Sequence, residues 1–183
     1  MQIESAPASN HGAGSARVLI VEPNRSALGV LTKRLSETGY RIIACDNGGN
    51  AMAEMRRAPV DLVLAELRMA PASGVELTRR IRDDTVLRDT PVILITGRSD
   101  KSGAVDGFTA GADDVVAKPF HFEVLAARIA RRVARARSVK ELRSDNAALD
   151  ARVITRAIEL GEMRAALQQS EAERVKLERL IRG

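Results

Sequence analysis

Pro91-Val-Ile-Leu-Ile-Thr96-Gly97 is the stretch that decides the fold. Four consecutive aliphatic residues lie between a proline and the Thr-Gly pair, too few for a buried helix and without the alternation of a half-exposed strand. So short and apolar a run suits a strand covered on both faces, as in a parallel sheet. Working outward from Val92–Ile95, the same signature recurs at Arg17–Val21, Arg41–Cys45, Asp61–Ala65 and Asp114–Ala117. Amphipathic segments separate these runs. Asn24 can cap the first, whose apolar face is Leu28, Leu31 and Leu35 and which Gly39 ends. Asn50–Arg57, Gly74–Arg82, Lys101–Thr109 and a helix opening near Phe122 follow. Five βα units with short connections predict an α/β fold, a doubly wound five-stranded parallel sheet. Ligand crevices of such sheets lie at the carboxyl ends of the strands, so the positions of interest are Glu22, Glu66, Thr96 and Lys118. Gly103 and Gly107 fall inside the fourth helix, where each costs about 1 kcal/mol relative to Ala. They read either as close packing or as a mobile output surface.

Composition narrows the class. Of 183 residues 45% are apolar but only 2% aromatic, which predicts an aliphatic core and argues against a base-stacking platform for single-stranded nucleic acid. Cys45, the one cysteine, sits in an apolar run and reads as a buried spectator, since neither a disulfide nor a cysteine metal site can be built from it. Residues 1–16, rich in Ser, Ala, Gly and Asn, read as a disordered leader rather than a signal peptide. No apolar run approaches the ~18 residues of a membrane span, and a cytoplasmic location without membrane contact is expected. Residues 1–120 balance 15 Lys/Arg against 15 Asp/Glu, so the whole net charge of +5 belongs to the C-terminal third.

That third carries a second pattern. From Val139, one heptad set holds Val139, Asn146, Val153, Leu160, Leu167, Arg174 and Ile181, and the set three residues later holds Leu142, Leu149, Arg156, Met163, Ser170 and Leu177. Nine of these thirteen are apolar over six heptads, which predicts a coiled coil over 138–183, continuous with the last helix of a domain spanning 17–137. β-Branched residues in the first set with Leu in the second favour two parallel strands, and Asn146 is the kind of polar residue that fixes register. Flanking charges are mixed in that pairing: Glu159 opposes Arg164 favourably, whereas Asp145–Asp150 and Glu173–Glu178 repel. A homodimer is expected.

The motifs of residues 17–137 resemble the response-regulator receiver family of two-component signalling. Arg17-Val-Leu-Ile-Val-Glu-Pro-Asn24 is similar to that family's first strand and acidic pair, and Asp61-Leu-Val-Leu-Ala-Glu66 to its third strand and phosphoacceptor. Thr96 matches its switch hydroxyl, and Ala110-Gly-Ala-Asp-Asp-Val-Val-Ala-Lys118-Pro119-Phe120 its closing strand and lysine. The resemblance implies Mg²⁺-dependent phosphorylation, and the departures argue against it. The acidic pair is Glu22-Pro23, so one direct carboxylate ligand is missing, and the acceptor is Glu66 rather than Asp. Mg²⁺ requires near-octahedral oxygens, and in-line transfer loses about 10²-fold for a misplacement of about 1 Å. A degenerate pocket is therefore expected, with no catalytic residue, no cofactor and weak or absent Mg²⁺ binding. Lys118 can neutralise one of the two glutamates and Arg68 can offer another charge. Glu66 reads either as a relic or as a weak phosphoryl stand-in that holds Thr96 inward. Val115 stands where the family usually has a rotating aromatic, which favours a static module.

Arg128, Arg131, Arg132 and Arg135 lead an arginine-rich stretch that continues to Arg143. It reads either as a solvated face or as a site for an anion (DNA phosphates, a cyclic dinucleotide or an acidic partner), and no recognition motif points to sequence-specific DNA binding. The expectation is thus a non-enzymatic pseudo-receiver that dimerises through its coil and docks a protein signalling partner. The competing expectation is the input domain of a longer protein, because Arg152-Val-Ile-Thr-Arg-Ala-Ile-Glu-Leu160 resembles linkers that lead into cyclases or phosphodiesterases. A reading frame that continued beyond Gly183 would favour it.

Overall fold

The structure is a computed structural model that describes residues 16–98 and 100–181. Ten elements alternate: β1 (Arg17–Val21), α1 (Arg25–Glu37), β2 (Arg41–Cys45), α2 (Gly48–Arg57), β3 (Leu62–Glu66), α3 (Gly74–Asp83), β4 (Val92–Thr96), α4 (Lys101–Thr109), β5 (Asp114–Ala117) and α5 (Phe122–Ile181). The strands pair in parallel in the order β2-β1-β3-β4-β5, the doubly wound sheet expected from the sequence. The leader assigned to 1–16 lies outside the described residues except for Ala16, which is fully buried and whose carbonyl accepts from the Arg41 N–H. Ala16 therefore belongs to the fold.

Alternation along the strands sorts the core into two layers. Val18, Ile20, Leu62, Leu64, Ile93 and Ile95 face one side, where they pack with Leu31 and Leu35 of α1 and with Leu125, Ile129 and Val133 of α5. Leu19, Val21, Val63, Ala65, Val92 and Leu94 face the other, against Met52 and Met55 of α2 and Leu77 and Ile81 of α3. Each aliphatic side chain so buried contributes roughly 1.5–3 kcal/mol, which explains why the unbroken apolar runs read as strands covered on both sides.

Boundaries differ from the sequence reading where capping or pairing extends an element. α2 begins at Gly48 rather than Asn50 because the Asn47 side chain accepts from the Asn50 N–H. β3 and β4 each run one residue further, since Glu66 still pairs with Ile95 and Thr96 with Ala117. Both glycines of α4 are explained by packing: a Cβ at 107 would come within 2.9 Å of Leu94 Cδ1, and one at 103 would run into the Asp100 carboxylate.

The chain divides into two compact units between Arg137 and Ser138. In the second, residues 138–181 are helical, and every side chain described there is exposed. Among the described residues no helix is long and apolar enough to cross a membrane.

Candidate functional site

Glu22 follows β1, Glu66 ends β3, Thr96 ends β4 and Lys118 follows β5, so parallel pairing brings all four to one end of the sheet. Lys118 is the centre. Its Nζ donates to Glu66 Oε2 at 2.6 Å and to Glu22 Oε2 at 3.2 Å. Burial works against the Lys118 ammonium, but the hydrogen bond to Glu66 and the charges of Glu66 and Glu22 outweigh it and raise its pKa. The second oxygen of Glu22 accepts from the Asn24 backbone N–H at 2.9 Å, and Glu22 is 4% exposed. The lysine itself is fixed by its own N–H, which donates to the Thr96 carbonyl at 2.7 Å.

Mg²⁺ takes octahedral oxygens at 2.0–2.1 Å and keeps several waters. The donors present here do not fit it. Both carboxylates are bound to one ammonium, and Pro23 has no side-chain oxygen.

A second constellation lies beside the first, and the sequence reading assigned it differently. Arg68 does not reach the glutamates. Its Nε and Nη2 donate to Asp100 Oδ2 and Oδ1 at 2.7 and 2.9 Å, a bidentate pair. Asp100 also caps α4 by accepting from the Gly103 N–H at 2.9 Å, and its pKa is held well below the ordinary carboxylate value, chiefly by the hydrogen bond from Arg68. The Thr96 hydroxyl makes a long 3.4 Å bond to the same carboxylate and has no bond to Glu66. In this structure Lys118 is the partner of Glu66, and Asp100 is the partner of the Thr96 hydroxyl. Asp100 escaped the sequence reading, although an Asp directly before Lys-Ser-Gly at a helix start is an N-cap signal.

The arginines named as a possible anion site separate. Arg128 Nη1 donates to both oxygens of Asp114 at 2.9 Å, and Arg132 Nη2 lies 3.7 Å from it. Arg131 and Arg135 are exposed. Asp114, 8% exposed at the start of β5, is the partner that sequence reasoning missed. Asn146 lies in the second unit and is exposed.

Fold and site together define a receiver-type signalling domain. The family described as response regulator receiver domain matches residues 18–130, and the chain belongs to it. It is similar to Transcriptional regulatory protein ResD of Bacillus subtilis (strain 168), 34% identical over 104 residues that make up 57% of this chain and 42% of that protein. It is also 31% identical over 150 residues to a Vibrio cholerae protein named Probable cyclic di-GMP phosphodiesterase, which covers 82% of this chain and 34% of the relative. The chain therefore spans less than half the length of either. Among solved structures, the receiver domain of sensor histidine kinase PA1611 from Pseudomonas aeruginosa PAO1 superposes with a TM-score of 0.62 at 28% identity, covering 66% of this chain and 98% of that one. That domain was solved with a magnesium ion coordinated in its active site cleft.

Proposed function

We propose that this receiver domain signals without being phosphorylated, as a non-enzymatic pseudo-receiver that dimerises through residues 138–181 and docks a protein signalling partner. One observation carries the reading. Lys118 bridges Glu22 and Glu66, so both remaining carboxylates are engaged by an internal cation, and Pro23 removes the further ligand that would recruit a metal. An acceptor one methylene longer than Asp adds a geometric penalty to transfer. Dimerisation is supported by the exposed apolar seam: Leu142, Leu149, Val153, Leu160, Met163 and Leu167 are 54–67% exposed at heptad spacing.

The test is intact-mass measurement after incubation with acetyl phosphate and Mg²⁺. No adduct is expected on the wild-type chain, and an acid-labile phosphoryl adduct would sink the reading. Pro23→Asp with Glu66→Asp should restore labelling, and Glu66→Asp alone should restore less.

One observation favours a second reading, an input domain whose helix transmits to an output enzyme. The similarity to the phosphodiesterase-named relative extends over 150 residues, more than the 137 that end the first unit, so it includes part of the second.

A further inference from the structure

The seam does not account for all the apolar surface of residues 138–181. Ile154 and Ile158 are 61% and 58% exposed, one turn apart, at the second and sixth heptad positions. In a two-stranded pairing through the first and fourth positions, the second and sixth face solvent. Ala147, Ala151, Gly161 and Ala165 continue the same line at alternating spacings of four and three. Ile and Gly are both poorer helix formers than Ala, and a Cβ at Gly161 would meet nothing within 4 Å among the described residues. Among the described residues nothing covers this face.

Charge identifies what fits it. If a second copy lies antiparallel on this face, with Ile154 of each opposite Ile158 of the other, Ala151 meets Gly161 and Ala147 meets Ala165. The flanking row then sets Asp150 against Arg164 and Arg143 against Glu171, each twice by symmetry, and the other row brings together no like charges. A parallel arrangement sets Asp150 against Thr155 and Arg164 against Gln169, so that Glu171 against Lys176 is its one kind of ion pair where the antiparallel pairing has two. The antiparallel pairing also gives Asp150 a cation, whereas the parallel dimer sets it against Asp145.

We propose that the outer face centred on Ile154 and Ile158 is a second self-association surface, on which one dimer pairs antiparallel with another. This rests on the dimer reading above. Because each dimer carries two such faces, assembly passes through tetramers to larger even-numbered species as concentration rises.

Sedimentation of the full chain over a wide concentration range tests it. The expected result is a dimer at low concentration and even-numbered higher species above. Ile154→Glu with Ile158→Glu, helicity checked by circular dichroism, should remain a dimer throughout. Asp150→Arg should act in opposite directions, tightening the dimer by replacing an Asp–Asp contact with Asp–Arg while abolishing the higher species. Adding Arg164→Asp should bring them back. A wild-type chain that stays dimeric at every concentration overturns this inference and leaves the dimer intact, whereas a monomer throughout overturns both. Higher species that survive the double Ile substitution also overturn it.

Discussion

Leu125, Ile129 and Val133 are 0–4% exposed, whereas Val139, Leu142 and Leu149 of the same helix are 39–63% exposed. Both groups repeat at helical spacing, so amphipathicity alone does not say what a helix packs against. The first group closes a core built from its own chain. The second has a comparable apolar stripe that is exposed, and it is this difference that the proposed dimer rests on.

Removing residues 138–183 should give the largest effect, conversion from dimer to monomer by sedimentation, with the thermal transition of the receiver retained. A truncated chain of dimer mass would place the assembly surface on the first unit. Leu125→Ala should cost the receiver about 2–5 kcal/mol in denaturant unfolding, while Leu149→Ala should leave that transition in place and weaken the dimer. Equal effects would erase the distinction between the two groups.

Within the first unit, Lys118→Met should destabilise by about 1–3 kcal/mol, because two carboxylates are left facing each other without their cation. The lower part of the range is favoured by the lysine's 42% side-chain exposure. The pH dependence has a definite sign. A lysine whose folded pKa is raised binds its proton more tightly when folded. Its stabilisation is complete below the ordinary lysine value of 10.5 and is lost as pH rises through the raised one. Wild type should therefore lose stability relative to Lys118→Met on the alkaline side, and parallel curves there would discard the bridge. The smallest effect concerns Asp100. Arg68→Ala should speed amide hydrogen exchange at Gly103 and Ala104, where α4 is capped and begins, with little change elsewhere.

The sheet was legible because its strands are buried on both faces, so aliphatic runs at 18–21, 62–65 and 92–95 carry the signal unaided. Glu22, Glu66, Thr96 and Lys118 were legible because they follow those runs, and a parallel sheet gathers strand ends. Partners were harder to read. Whether Arg68 turns to Glu66 or to Asp100 depends on where the β4–α4 connection places a carboxylate, and Arg128 and Arg132 find Asp114 only once α5 packs beside β5. Charge runs show how much charge there is. Geometry decides which of it is neutralised.

On the proposed reading, this receiver's state does not depend on a phosphoryl group. Sedimentation equilibrium of the full chain, with and without acetyl phosphate and Mg²⁺, tests it most directly. The same mass distribution at each protein concentration is expected in both conditions. An assembly state that shifts with the phosphodonor and Mg²⁺, and returns when they are removed, would contradict it.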